Sequence, residues 1–436
     1  MLFIVLLAIF YLLFAFLSYR NLLWGLILIG AFLPSYLIRY NIFGFPSTVL
    51  EGMILIVFGL WIVQHRRQWA GVVQAASRGK KLPNPFGRWF FATVLFLIAS
   101  LVSIYIAPNH WSALGLWRAY FLEPIIFFII LISTVKNKED AYKIIWGVVL
   151  GGIPVAALAV AQKFTGWLIP NPFWQAEATR RVTSVFGYPN AVALYLTPLL
   201  PLVVYLFENS VRKTKGLIWQ DLFYSVIFFL FILAIIFTKS AGALIALAGT
   251  LVVLGLLFRR TRKFVVGLII VGAALFLLTP LKDPIKEEFL FKGVSGQLRI
   301  SMWGETVEML RNHPIFGAGL SAYQEVVHSY HILPWAEIYL YPHNLFLNFW
   351  SEVGFVGLVA FLWLLLLFFR ASWEILKPHR GEDLWLVEII SASMLIIFIQ
   401  GLVDVPYFKN DLAIFFWLLM GLMAINLKFS QQYDRS

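Results

Sequence analysis

Residues Lys282–Phe361 read KDPIKEEFLFKGVSGQLRISMWGETVEMLRNHPIFGAGLSAYQEVVHSYHILPWAEIYLYPHNLFLNFWSEVGFVGLVAF and form the one long polar interruption of an apolar chain. They include five Lys or Arg residues, eight carboxylates and four of the seven histidines. The polar part ends on the sequence YPHN at 341–344, and an apolar helix is predicted to begin there. A polar segment of about sixty residues between two membrane spans is too long to be a simple connection. We therefore expect this segment to carry the chemistry of the protein.

The composition of the whole chain indicates a membrane protein. Of its 436 residues, 61% are hydrophobic and 13% are charged, and the mean hydropathy is +0.83. A soluble domain does not have that composition, so we predict an all-α, polytopic integral membrane protein with about 12–14 transmembrane helices. The absence of cysteine excludes disulfides, thiolate metal sites and thiol nucleophiles.

Thirteen apolar segments have the length of a membrane span, although the first two could also form one re-entrant hairpin. They lie at 1–17, 21–38, 47–64, 89–107, 118–134, 143–162, 189–207, 221–238, 240–258, 264–280, 344–369, 385–403 and 411–428. We divide the chain into three parts on this basis. Residues 1–281 form about ten spans with an outer loop near 163–188, residues 282–343 form a large extracytoplasmic catalytic loop, and residues 344–436 form the last spans and a cytoplasmic tail.

The distribution of Lys and Arg predicts the orientation. Under this alternation of spans, 22 of the 34 Lys and Arg residues fall on one side, which the positive-inside rule assigns to the cytoplasm. The same rule accounts for most of the net charge of +12, so no nucleic-acid partner is expected. The loops 163–188 and 282–343 are then extracytoplasmic, the C-terminus is inside and the N-terminus is outside.

Lys and Arg residues are normally enriched in the cytoplasmic loops of membrane proteins. Those predicted to lie on the extracytoplasmic side are exceptions to this rule, which makes them candidates for binding an anion. Arg180 and Arg181 precede a predicted span, and Lys239 lies in the tight turn between two others. Arg299 and Arg311 belong to the large loop.

A helix is predicted in the large loop over Gln297–Asn312, ended by Pro314. We expect it to lie on the membrane or on the spans through one apolar face. The residues of that face are Leu298, Met302, Trp303, Thr306, Val307 and Leu310.

Two motifs stand out around the end of the large loop. One is His343-Asn344-Leu345 followed by EVGFVGL at 352–358, and the other is NHPIFGAG at 312–319. The first resembles the HN…ExGxxGL signature, and the second the PxxGxG turn, of a known family, the O-antigen ligases and O-antigen polymerases of bacterial envelopes.

Two further motifs support the same resemblance, which extends from about Arg180 to Met420. Arg299 and Trp303 stand in the place of the family's R-x-x-x-W, and FGYPN at 186–190 resembles its FGNPN. One departure concerns the turn KSAG at 239–242, where the family often has Ser-Arg-Gly, so that the charge here comes one residue earlier. A dozen or so spans with one large outer loop late in the chain also fit this family.

The resemblance implies a membrane glycosyltransferase of the bacterial cytoplasmic (inner) membrane, with its active site on the extracytoplasmic face. The donor would be a glycan linked to undecaprenyl pyrophosphate. The acceptor would be a sugar hydroxyl, either of lipid A–core, for a ligase, or of a glycan repeat unit, for a polymerase. The sequence leaves ligase and polymerase open, and membrane lipids are the other expected partners.

The chemistry of a pyrophosphate leaving group calls for positive charge, supplied by a divalent metal or by several arginines. The outer loop 34–47 holds no carboxylate and the chain holds no D-x-D sequence. We therefore predict a site without metal or cofactor. Arg299 is the first candidate to act on the donor, and the pyrophosphate would also be bound by Arg180, Arg181, Arg311 and Lys239.

The acceptor hydroxyl needs a base, and His343 is the candidate. It precedes a helix whose N-terminus disfavours the imidazolium and so keeps the ring able to accept a proton. Asn344 is a suitable N-cap for that helix. Glu352, about two turns into the span, is expected either to pair with an arginine or to be protonated. Asp404, in the last outer turn, is at the depth needed to orient His343 or an arginine.

Plainer roles exist for each of these residues. His343 could be an interfacial capping residue, Arg299 a solvated helix residue, and Arg180 and Arg181 contacts for lipid headgroups. Gly354 and Gly357 are typical of close helix packing.

Two other classes of protein fit parts of the sequence. The first is a transporter or flippase for a lipid-linked glycan or small anion, which should carry charged or broken helices near the bilayer midplane in repeated halves. The spans here are almost uncharged and no repeat is visible. The second is a structural scaffold, which leaves the outer arginines and the His-Asn turn unexplained.

Overall fold

The computed structural model describes residues 2–42, 44–77, 87–213, 218–257, 262–270, 293–377 and 384–433. Within these ranges almost all regular structure is helical, which confirms the all-α polytopic class. The helices are α1 (Leu2–Arg20), α2 (Leu22–Ala31), α3 (Val49–Ser77), α4 (Phe90–Ile106), α5 (His110–Trp117), α6 (Glu123–Thr134), α7 (Lys138–Thr165), α8 (Pro172–Gln175), α9 (Pro189–Leu196), α10 (Leu200–Lys213), α11 (Ile218–Phe237), α12 (Ala241–Leu257), α13 (262–270), α14 (Val294–Asn312), α15 (Tyr323–Val327), α16 (Leu345–Leu376), α17 (Leu384–Gln400) and α18 (Asn410–Tyr433).

Short 3₁₀ and π turns join several of these helices into continuous spans. A π turn over Arg118–Leu122 connects α5 to α6, and a 3₁₀ turn over Thr197–Leu199 connects α9 to α10. Strands in the described residues are limited to one antiparallel hairpin, β1 (Arg39–Ile42) and β2 (Phe45–Thr48), in which Arg39 pairs with Thr48.

Each of the thirteen predicted spans falls on a helix, although the tenth is described only over 262–270 and the rest of 264–280 lies outside the described residues. By length and composition, nine helical segments of the described residues are able to cross a membrane, and α2, α12 and α17 are shorter apolar helices. The first two predicted spans are the separate helices α1 and α2.

The most enclosed span is α18, which packs along α6 and also contacts α16 and α17. Its first turns meet a cluster of aromatic rings that includes Phe96, Phe121, Phe349 and Tyr407. The Tyr407 hydroxyl donates a 2.7 Å hydrogen bond to the Tyr120 carbonyl. This packing fixes the 401–409 segment, which connects α17 to α18 at one end of the helix bundle.

The large polar loop contains α14 where a helix was predicted, and the helix ends at Asn312, shortly before Pro314. Within the protein, Val307 of the predicted apolar face is 41% exposed, whereas Met309, which was not assigned to that face, is fully buried. The reason is that α14 packs on its own loop, since Met309 belongs to a small core with Ala318 and Tyr323. Residues 282–292 of this loop lie outside the described residues.

Candidate functional site

His343 lies in a tight turn directly before α16. Its φ of +47° is in the left-handed region, which is uncommon for a residue with a side chain. The Asn344 side chain caps α16 by accepting hydrogen bonds from the Phe346 and Leu347 amides, each at 3.0 Å. Asn344 Nδ2 also donates to the Leu402 carbonyl at 3.0 Å. The turn is thereby tied to the 401–409 segment, and the orientation of His343 is fixed by both.

Asp404 is the partner of His343. Nδ1 of His343 lies 3.2 Å from Oδ1 of Asp404, which also accepts from the Val405 amide at 2.9 Å. Burial by itself would raise the pKa of the Asp404 carboxyl, but the hydrogen bond and charge of His343, together with Val405 and Arg299, lower it below its usual range. In the neutral tautomer that has its proton on Nδ1, His343 donates to the Asp404 carboxylate and the second ring nitrogen, Nε2, carries the free lone pair. Nε2 makes no hydrogen bond to any residue that the structure describes.

Arg181 reaches the same carboxylate through Asn190. Its Nη2 donates to Asn190 Oδ1 at 3.1 Å, and Asn190 Nδ2 donates to Asp404 Oδ2 at 3.1 Å. Its Nε donates to the Thr238 carbonyl at 2.8 Å, so that the end of α11 holds the guanidinium in place. Burial, followed by the nearby charge of Arg299, lowers the pKa of Arg181. Two arginines close enough to repel each other favour the binding of an anion between them.

The helix α14 closes over these residues through two side chains. Arg299 Nε donates to the Val403 carbonyl at 3.2 Å, and its Nη1 donates to Ser295 Oγ at 3.1 Å. One turn further along α14, Trp303 Nε1 donates to the Pro342 carbonyl at 2.9 Å. Arg299 and Trp303 therefore connect one face of α14 to Val403 and Pro342. These two residues immediately precede Asp404 and His343.

Three of the candidate cations are not brought into this hydrogen-bonded group. Arg180 donates to the Gln175 carbonyl at 3.0 Å and to the Lys163 and Phe164 carbonyls at the end of α7, which is a helix-capping role. Arg311 forms an exposed ion pair with Glu308 at 2.7 Å.

Lys239 lies in the turn between α11 and α12 with a φ of +53°. Its neighbour Thr238 supplies the carbonyl that Arg181 binds. The Lys239 side chain is exposed and makes no hydrogen bond or ion pair with a described residue. It therefore adds positive charge beside Arg181 without a fixed position.

Glu352 supports the architecture of the loop. Its carboxylate accepts hydrogen bonds from the backbone amides of Ser321 and Tyr323, and it pairs with no arginine of the described residues. Two residues later, Gly354 has φ +79° and ψ 173° and kinks α16. The carbonyl of Ser351 accepts from the Ala318 amide at 2.7 Å, and a Cβ on Gly317 would lie 2.3 Å from that same carbonyl oxygen. The backbones of the PxxGxG and ExGxxGL motifs thus pack directly against each other.

Aromatic rings surround His343. The rings of Tyr339 and Tyr341 are centred 5.4 and 5.2 Å from its imidazole and stand nearly perpendicular to it. Edge-to-face contacts at these distances are favourable for aromatic rings and help to hold the imidazole in place.

Sequence reasoning did not single out Lys409. Its ammonium lies 4.1 Å from the ring centre of Phe186 and 3.6 Å from Oδ2 of the fully buried Asp411. In the sequence it resembles any lysine that flanks a span and extends to the interface. The sequence feature that could have identified it is its position among the twelve Lys and Arg residues predicted to lie on the extracytoplasmic side.

Among the residues that the structure describes, no group of three or more His, Asp or Glu side chains is arranged to hold a metal ion. Nδ1 of His331 lies 3.2 Å from Glu305 Oε2, and its Nε2 lies 3.1 Å from the Ala336 carbonyl oxygen.

Residues 226–362 match the family model described as O-antigen ligase. The matched region extends from α11 into the kinked helix α16, and it contains Arg299 and His343, whereas Arg181 and Asp404 lie outside it. The match supports membership of the O-antigen ligase/polymerase family, which indicates an activity of the ligase or polymerase type. No curated protein gives a significant match to the chain.

Proposed function

We propose that this protein transfers a glycan from an undecaprenyl-pyrophosphate carrier to the hydroxyl of an acceptor sugar. The acceptor is lipid A–core if the protein is a ligase, and a glycan repeat unit if it is a polymerase. The proposed location is the bacterial cytoplasmic membrane, with the site on the extracytoplasmic face. The Lys and Arg distribution supports that orientation.

The observation that carries the proposal is the hydrogen bond between His343 and Asp404. It orients the imidazole and leaves Nε2 without a hydrogen bond to the described residues. In the proposed reaction Nε2 takes the proton of the acceptor hydroxyl while the hydroxyl oxygen attacks the anomeric carbon of the donor sugar. The bond from that carbon to the pyrophosphate oxygen breaks, and the leaving undecaprenyl pyrophosphate keeps the electron pair.

Arg181 and Arg299 are proposed to bind the pyrophosphate. Both guanidiniums are held by backbone carbonyls. Arg181 binds the carbonyl of Thr238, in the turn after α11, and Arg299 binds that of Val403, the residue before Asp404. Fixed positive charges of this kind stabilise the charge that develops on the leaving group without reorganising during the reaction. Lys239, which follows the Thr238 carbonyl bound by Arg181, adds to the positive field.

Because two arginines can supply this stabilisation, we propose a mechanism that needs no metal. The test is transfer by the purified protein in detergent, with a lipid-linked oligosaccharide as donor and lipid A–core or free repeat-unit oligosaccharide as separate acceptors. Transfer should continue in EDTA, and the acceptor that is used separates ligase from polymerase. Loss of transfer in EDTA with recovery on added Mg²⁺ would overturn the metal-free mechanism, and absence of transfer to both acceptors would overturn the proposed activity.

A further inference from the structure

A deep groove lies between α12, α16 and α17, away from the polar residues described so far. Its volume is about 760 Å³. The walls are apolar and include Leu254 of α12, Leu366 and Phe369 of α16, and Leu395 of α17. The groove follows α17 from Leu384 to Phe398, a rise of about 21 Å, which is most of the ~30 Å thickness of a bilayer core.

The polar side chains in the middle of the groove satisfy one another. Ser391 Oγ donates to the Val387 carbonyl at 2.7 Å, and Ser372 Oγ lies 2.7 Å from Ser391 Oγ. The charged lining residues are Arg262, Lys377 and Glu388, and Glu388 lies one turn after Leu384, in the first part of α17. Along its length the groove therefore offers a surface for an apolar chain, because a polar ligand would find few hydrogen-bonding partners there.

The other end of the groove lies near the start of α16, which follows His343. Phe398 lines this end, and its ring centre is 5.5 Å from that of Phe346, in the first turn of α16. Immediately after α17, the Gly401 carbonyl accepts from the Leu345 amide at 2.7 Å. This end of the groove thus lies near the backbone junction that fixes His343.

We propose that this groove holds the polyprenyl chain of the lipid-linked donor, with the pyrophosphate at Arg181 and Arg299. This inference rests on the proposed function, since it assigns the chain of the same donor. The proximity of the Phe398 end of the groove to the junction of Leu345 with Gly401, beside His343, favours the donor over a phospholipid with its headgroup at Arg262 and Lys377. An undecaprenyl chain is longer than one leaflet is thick, so it is able to extend from the site toward the opposite end of the bundle.

The test compares the binding of undecaprenyl pyrophosphate and of farnesyl pyrophosphate, which has the same headgroup and a much shorter chain. Binding to the full-length protein in detergent would be measured by native mass spectrometry or thermal shift. We expect undecaprenyl pyrophosphate to bind at least about tenfold more tightly, because each buried methylene contributes to affinity. Filling the groove from facing walls with Leu254→Trp or Leu395→Trp should remove this preference and leave farnesyl pyrophosphate binding unchanged.

Leu251→Trp is the matched control. Leu251 lies on α12, one turn before Leu254, with a side chain that is 71% exposed and is not part of the groove wall. The same substitution there should keep the chain-length preference. If a groove variant does not fold, crosslinking of the wild-type protein gives a second measurement. An undecaprenyl pyrophosphate analogue with a photoreactive group at the far end of its chain should label peptides of 253–257, 362–376 or 384–398.

The outcomes separate the two proposals. Tight binding of undecaprenyl pyrophosphate that folded Leu254→Trp and Leu395→Trp retain would overturn the groove assignment and leave the proposed function intact. Labelling of helices other than α12, α16 and α17 would do the same. Variants that lose phosphatidylglycerol binding but keep undecaprenyl pyrophosphate binding would show that the occupant is a phospholipid. Failure of both pyrophosphates to bind the wild-type protein would instead overturn the pyrophosphate-linked donor, and with it the groove assignment.

Discussion

Two histidine–carboxylate pairs in this protein have nearly the same geometry. They differ in whether the second imidazole nitrogen, Nε2, has a hydrogen-bonding partner. In His343–Asp404 and in His331–Glu305, Nδ1 lies 3.2 Å from a carboxylate oxygen, and the imidazoles are 18% and 17% exposed. Nε2 of His331, however, lies 3.1 Å from the Ala336 carbonyl, whereas Nε2 of His343 has no hydrogen-bonding partner among the described residues.

This difference separates a structural histidine from a candidate base. A carboxylate and a carbonyl both accept hydrogen bonds, so both nitrogens of His331 have an acceptor within reach when the ring is protonated. Glu305 also accepts from the Ile332 amide at 3.1 Å, which anchors the same loop to α14. His343 is oriented by one nitrogen and has the other available for substrate. The predictions that follow test this distinction.

The largest effect is expected for His343→Ala. Loss of a general base lowers the rate by about 10²–10⁴, so transfer should become almost unmeasurable while the donor still binds. His331→Ala is the matched control and should retain transfer. Donor binding would be measured with undecaprenyl pyrophosphate after gel filtration has shown that each variant is folded. Equal loss of transfer in both variants would contradict the distinction between the two histidines.

A smaller loss is expected for Asp404→Asn. The amide keeps the shape of the side chain but removes the charge that orients and supports His343, and loss of such a partner typically costs about 10–100-fold. As a positioning residue, Asp404 should affect kcat with little change in KM for the donor. A variant that raises KM and leaves kcat unchanged would show that Asp404 acts on donor binding instead.

The two adjacent arginines should differ from each other. Arg181→Ala should weaken donor binding by about 1.5–3 kcal/mol because it removes a charge-assisted contact. Arg181→Lys should recover only part of it, since an ammonium cannot make a two-pronged contact with phosphate oxygens. Arg180→Ala should lower the Tm, because Arg180 caps α7, and leave donor affinity almost unchanged. Equal losses of affinity in both alanine variants would place both arginines at the pyrophosphate.

The smallest effect is expected for the stability contributed by His331. Burial by itself would lower the pKa of His331, but the hydrogen bond and charge of Glu305 raise it above the usual value. A raised pKa stabilises the folded state below the unfolded pKa, and this stabilisation, about 1 kcal/mol, disappears as the pH rises through the folded pKa. The difference in Tm between wild type and His331→Ala should therefore be larger at about pH 5.5 than at about pH 8.5. A difference that grows with pH would contradict the charged pair.

The sequence was sufficient for the helical spans because apolar length alone predicts them, and the structure has a helix at each one. His343, Arg299 and Asp404 were predicted from the motifs and from their place on one side of the predicted spans, and the structure brings them together at one end of the bundle. The different orientations of Arg180 and Arg181 depend on where α7 ends in space, which no local pattern shows. The bridging role of Asn190 requires Asp404, a residue more than two hundred positions away. Glu352 was expected either to pair with an arginine or to be protonated. It pairs with no described arginine, and its partners are the backbone amides of Ser321 and Tyr323, which carry no signature in the sequence.

The most direct test of the central claim is chemical rescue of His343→Ala by imidazole. Single-turnover transfer would be followed in the folded, donor-binding variant as imidazole is added, with Arg181→Ala as the control. If Nε2 of His343 accepts the acceptor's proton, imidazole should restore part of the lost rate in His343→Ala and none in Arg181→Ala. Near-wild-type transfer by His343→Ala without imidazole, or a lost rate that imidazole leaves unchanged at every concentration, would contradict the assignment of His343 as the base.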